Sequence, residues 1–123
     1  MAKKVLLVED SPLDAAMIKD MMSEDGFEMY VANTVKEGYE KAVQVKPDLI
    51  LLDLLLPDGN GFDLCARIRK ESGLGNNVLI VIVSIKSDRQ DIEKAFESGA
   101  DDYVIKPPAP EFLLKKIRLY MHP

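Results

Sequence analysis

The chain has 123 residues, 47% hydrophobic and 30% charged, which is one domain of ordinary size with no room for a second. Sixteen lysines and arginines against 21 aspartates and glutamates leave a net charge of −5, which argues against a basic nucleic-acid face or an anionic-membrane face. One cysteine (Cys65) and one histidine (His122) exclude an internal disulfide, a cysteine-based zinc site and a histidine-rich metal site.

Along the chain, Val5–Val8 is an apolar run closed by Glu9-Asp10-Ser11-Pro12, where Ser11 suits a helix cap and Pro12 the first helical position. Leu13, Met17 and Met21 then recur at helical spacing, and Gly26 ends that helix. Residues 27–31 alternate as a half-exposed strand does. Thr34 caps a second helix whose predicted face is Val35, Tyr39, Ala42 and Val43, and Pro47 ends it. Leu49–Leu52 is a second continuous apolar run, ending in Asp53, and residues 53–61 read as a strand end and a turn. Leu64, Cys65 and Ile68 mark a third helix, stopped by Gly73 and Gly75. Val78–Val83 is a long apolar strand followed by Ser84. Ile92, Ala95 and Phe96 stripe a fourth helix, residues 103–105 form a short strand, and Phe112, Leu113, Ile117 and Tyr120 stripe the last helix.

Five strands alternating with five helices predict an α/β fold, a doubly wound, flavodoxin-like three-layer sandwich with a parallel sheet. The first, third and fourth strands are apolar throughout, as central strands must be, while the second and fifth read as edges. Right-handed crossovers then favour the order 2-1-3-4-5. In such sheets ligands bind outside the carboxyl ends of the strands, where the order reverses. Glu9, Asp10, Asp53, Ser84 and Lys106 all fall on that rim.

Three carboxylates crowded together repel one another unless a cation joins them. An oxygen-only donor set beside a phosphoryl group points to Mg²⁺ rather than zinc. An aspartate held there can act as a nucleophile toward phosphorus, with a lysine stabilising the transferring group. Each residue also has a plain structural reading. Glu9 and Asp10 could feed a helix N-terminus, Asp53 could cap a turn, Ser84 could begin a helix, Lys106 could be a solvated surface lysine, and Tyr103 could be edge packing. Asp58-Gly59-Asn60-Gly61 lacks the alternating ligands of a calcium loop.

Val5–Asp10, Leu49–Asp53 with Pro57 and Gly61, Ser84, and Gly99–Pro107 together resemble the receiver domain of two-component response regulators, over essentially the whole chain. The resemblance implies that Asp53 accepts a phosphoryl group from a phosphohistidine on a partner histidine kinase or histidine phosphotransfer protein. It implies Mg²⁺ as the cofactor, held by Asp10, Asp53, Glu9 through water, and the main-chain carbonyl of Leu55. Lys106 would pair with the phosphoryl group, and Ser84 and Tyr103 would form the switch pair that alters the face of the fourth helix, fifth strand and fifth helix. Lys106-Pro107 would be cis by the same analogy. The single His122 leaves the donor to come in trans.

Two departures stand beside the acceptor. Ile85 follows the switch hydroxyl where the family usually has a small residue, and apolar Leu55 stands two residues after Asp53, so both are expected to modulate access. The expected protein is a cytoplasmic signalling switch rather than a metabolic enzyme, a single receiver domain over 1–123 that acts through a downstream protein effector or an output domain outside this chain. No direct nucleic-acid or membrane contact is expected. Lys115, Lys116 and Arg118 facing Glu93, Glu97, Asp101 and Asp102 leave a phosphorylation-dependent homodimer open. The alternative is a phosphorylation-independent protein-interaction module of the same fold, and the acidic Glu9–Asp14 loop argues against a flavin or nucleotide binder.

Overall fold

The computed structural model describes residues 2–106 and 110–121. Pro107, of the expected cis bond, and His122 lie outside the described residues. In chain order the elements are β1 (Lys4–Val8), α1 (Pro12–Glu24), β2 (Glu28–Ala32), α2 (Val35–Val45), β3 (Leu49–Leu52), β4 (Leu55–Leu56), β5 (Gly59–Asn60), α3 (Gly61–Glu71), β6 (Leu79–Ser84), α4 (Arg89–Glu97), β7 (Asp102–Ile105) and α5 (Pro110–Met121). Five strands form one parallel sheet in the order β2-β1-β3-β6-β7, the predicted 2-1-3-4-5 once the small β4–β5 hairpin is set aside.

Successive residues of a strand point to opposite faces, and here each face meets its own helices. Leu6, Val8, Ile50, Leu52, Ile80 and Ile82 pack with Ala42, Leu64, Cys65, Ile68 and Ala95 of α2, α3 and α4. Val5, Leu7, Leu49, Leu51, Val81 and Val83 pack with Ala15, Ile18, Met22, Leu113 and Ile117 of α1 and α5. All four residues of β3 are fully buried, which is why that strand is apolar without a break. Truncating any of them to Ala would cost about 2–5 kcal/mol.

Several local expectations shift. The face of α1 is Ala15, Ile18 and Met22, whereas Leu13 and Met17 are exposed. Apolar residues run nearly all round this helix, so spacing alone leaves its rotation undecided. In β2, Tyr30 packs on one layer and Met29 and Val31 on the other, so its alternation separates two packed faces rather than core from solvent. Val43, Phe96 and Phe112, placed on inner stripes by spacing, are exposed. In α2 the inner position is instead Gly38, where an added Cβ would lie 3.1 Å from Leu64 and 3.2 Å from Val8. Ser84 is the last residue of β6 rather than the residue after it.

Residues 55–60 form a two-stranded antiparallel hairpin instead of a plain turn. Asp58 at its tip accepts hydrogen bonds from the Val35 (2.7 Å) and Lys36 (3.1 Å) amides, capping α2 from 22 or more residues away. Those two amides favour the charged carboxylate and hold Asp58 below its ordinary pKa.

Candidate functional site

Each strand of the rim delivers its last residues by a ladder bond that continues the sheet. The Glu9 amide donates to Ala32 O (2.9 Å), Asp53 to Val8 O (3.0 Å) and Lys106 to Ser84 O (2.8 Å). Beyond Glu9 the chain turns into α1 at Ser11, whose hydroxyl accepts from the Asp14 amide (3.3 Å). Beyond Asp53 it turns under Gly61, where an added Cβ would stand 2.4 Å from Asp53 O. Only glycine allows α3 to begin so close to the acceptor strand.

The side chains meet at Lys106. Its Nζ donates to Asp53 Oδ2 (2.9 Å), to Asp14 Oδ2 (3.1 Å) and to Glu9 Oε1. The Lys106, Glu9 and Asp53 side chains are 7%, 3% and 8% exposed, whereas Asp14 is 40% exposed. The other oxygens of the two buried carboxylates are also used, Glu9 Oε2 by the Ser11 amide (3.0 Å) and Asp53 Oδ1 by the Leu55 amide (3.1 Å). Burial pushes the Glu9 carboxyl above its ordinary pKa despite Lys106 and the Ser11 amide. Burial would lower Lys106, but Glu9 and Asp53 outweigh it and hold the ammonium above its ordinary value. Removing the cation would strand two buried carboxylates, a loss of about 3–5 kcal/mol for a broken buried pair. The cluster lies in an open cleft of about 210 Å³ lined by Glu9, Asp10, Ser11, Asp14, Asp53, Leu55, Ile85 and Lys106.

The family profile of the response regulator receiver domain matches residues 5–118. The chain belongs to the response regulator receiver domain family. It is 38% identical over 118 residues to the DNA-binding response regulator MtrA of Mycolicibacterium smegmatis, covering 96% of this chain and 50% of that protein. It therefore spans about half the length of the curated relatives it matches. Among solved structures, a two-component response regulator from Clostridium difficile superposes with a TM-score of 0.90 at 31% identity, covering 97% of this chain and 95% of that one. A CheY-like receiver domain protein from Methanospirillum hungatei gives 0.92 at 28% identity, with 98% and 94% covered.

Within this receiver domain, Glu9, Asp10, Asp53, Leu55, Ile85 and Lys106 come together on one cleft. Asp10 is exposed at the rim, and Leu55 and Ile85 are 46% and 64% exposed beside it. Ser84 and Tyr103 stand apart from that lining. Ser84 is fully buried, and its hydroxyl accepts from the Lys86 amide (3.4 Å). The Tyr103 hydroxyl donates to Lys86 O (2.7 Å), tying β7 to the loop after β6. Asp14 was not expected in the cleft. An acid in a first helical turn reads from sequence as a partner for the helix dipole. The one available signal was its spacing, a single turn beyond Asp10.

The donor set of the cleft fits Mg²⁺ in kind, since Glu9, Asp10, Asp14 and Asp53 face a single ammonium and offer only oxygens. Among the described residues no three acidic, histidine or cysteine side chains are already gathered around a metal position. Glu9 and Asp53 are both paired with the Lys106 ammonium. Among the described residues, no helix is long and apolar enough to cross a membrane.

Proposed function

We propose that Asp53 is the phosphoacceptor of this receiver domain, phosphorylated by a phosphohistidine on a partner histidine kinase or histidine phosphotransfer protein. The observation that carries this reading is the buried bond from Lys106 to Asp53 at the floor of an open cleft. The Leu55 amide and Lys106 each hold one Asp53 oxygen, which keeps the carboxylate aimed. A carboxylate oxygen forms the O–P bond as the P–N bond of the donor breaks, and the imidazole nitrogen keeps that electron pair and takes up a proton from solvent. Asp10, Asp53, Glu9 through water and the Leu55 carbonyl would hold Mg²⁺, which when bound neutralises charge on the transferring group. The same cleft admits water for self-dephosphorylation, with Leu55 and Ile85 narrowing the approach.

Lys106 and the Ser84 hydroxyl then bind the new phosphoryl oxygens. Ser84 has to turn from its present partners to do so, and Tyr103, bonded to Lys86 O on the same loop, follows the change. The signal leaves by the face of α4, β7 and α5, toward a downstream protein effector or an output domain. A cytoplasmic location goes with that role. Inside the chain Lys116 pairs with Asp102, Arg118 with Asp25 and Arg69 with Asp101.

The test is intact mass after incubation with Mg²⁺ and acetyl phosphate, accompanied by beryllofluoride binding. One added phosphoryl group that disappears in Asp53→Asn is the expected result. An adduct that persists in Asp53→Asn, or a wild type silent to both reagents, would favour the phosphorylation-independent interaction module.

A further inference from the structure

A lysine ammonium has three N–H donors, and Lys106 gives one each to Glu9, Asp53 and Asp14. Phosphorylation turns the Asp53 carboxylate into the neutral acyl group of an acyl phosphate and passes its Lys106 donor to the phosphoryl group, so a second donor reaches that group only if Glu9 or Asp14 lets go. Glu9 is almost fully enclosed, so releasing it would strand a buried charge. Asp14 is 40% exposed, and water can replace its lysine partner at little cost. We propose that Asp14 is a positioning residue that holds, in the unphosphorylated state, the second Lys106 donor open to the phosphoryl group. It thereby sets the affinity of the cleft for that group.

This inference rests on the phosphoacceptor reading and adds a residue to it. Asp14 sits in the first turn of α1, its amide pinned by Ser11 Oγ, so its carboxylate stays at the cleft after Lys106 turns away. A fixed negative charge there acts in opposite directions on two ligands. It opposes an anionic phosphoryl group and favours a divalent cation. Across a partly solvated cleft one unit charge changes such affinities by about three- to tenfold.

The experiment titrates Mg²⁺ alone, then beryllofluoride at saturating Mg²⁺, following amide chemical shifts of wild type, Asp14→Asn and Asp14→Glu. Asp14→Asn is expected to bind beryllofluoride about three- to tenfold more tightly and Mg²⁺ more weakly by a similar factor, while Asp14→Glu stays within about twofold of wild type. A merely structural Asp14 would change thermal stability and leave both titrations where they were. Unchanged or weaker beryllofluoride binding by Asp14→Asn overturns the inference, as does Asp14→Glu behaving like Asp14→Asn. A wild type that takes no beryllofluoride overturns the phosphoacceptor reading itself, and this inference with it.

Discussion

Replacing Gly61 by Ala tests how closely α3 is fitted to the acceptor strand. The new Cβ would lie 2.4 Å from Asp53 O and 2.9 Å from Leu54 Cα, both backbone atoms that no side-chain rotation can clear. An ordinary carbon–oxygen contact is roughly 3.3 Å, so the start of α3 and the acceptor strand must separate by nearly 1 Å. Overpacking of this kind costs about 1–3 kcal/mol. The Gly61 amide bond to Leu54 O, now 3.0 Å, would not survive the opening and adds about 1 kcal/mol. The helical preference for Ala returns at most about 1 kcal/mol. The net loss is about 1–3 kcal/mol, a sizeable part of the roughly 5–15 kcal/mol that holds a domain folded. Urea unfolding measures it, with Gly59→Ala as control. There the new Cβ would meet only the Val35 side chain, at 3.3 Å, and a loss within about 0.5 kcal/mol is expected. Because the displaced backbone carries Asp53, beryllofluoride binding should weaken in Gly61→Ala and hold in Gly59→Ala. A Gly61→Ala protein as stable as its control would refute the close-approach reasoning.

Two further predictions address stability and lifetime. Burial pulls the Asp102 carboxyl upward, but Lys116 (2.7 Å), Tyr120 and the Tyr103 amide (2.7 Å) outweigh it and leave Asp102 below its ordinary pKa. A depressed folded-state value means the contribution is present above the unfolded value near 4 and is lost as pH falls through the folded one. Asp102→Asn should therefore cost about 1–2 kcal/mol in urea unfolding at pH 7, and a gap to wild type that fails to shrink by pH 3 would contradict the assignment. Ile85, 64% exposed on the cleft, is expected to slow attack by water, so Ile85→Ala should shorten the life of the aspartyl phosphate, and an unchanged or slower loss would count against it.

Much of the frame is legible in the chain because strand burial writes itself into composition. Val5–Val8, Leu49–Leu52 and the run up to Val83 are covered on both faces and so are apolar throughout. From three such strands and two weaker ones the sheet order follows. With the order comes the rim that collects Glu9, Asp10, Asp53 and Lys106, since strand ends are positions in sequence as well as in space. The caps of α1 and α2 by Ser11 and Thr34 were equally readable, being local.

What sequence could not decide is orientation and long-range pairing. The rotation of α1 depends on which apolar stripe the sheet accepts, and Leu13 and Ile18 look alike until it does. The grip of Asp58 on α2 and of Asp14 on Lys106 joins residues 22 and 92 positions apart, and no local pattern announces either. The sequence determined that carboxylates and a lysine would share one end of a parallel sheet. Only the tertiary structure decided that the lysine ammonium has all three of its donors engaged there, because how charges divide a single cation depends on distance and burial.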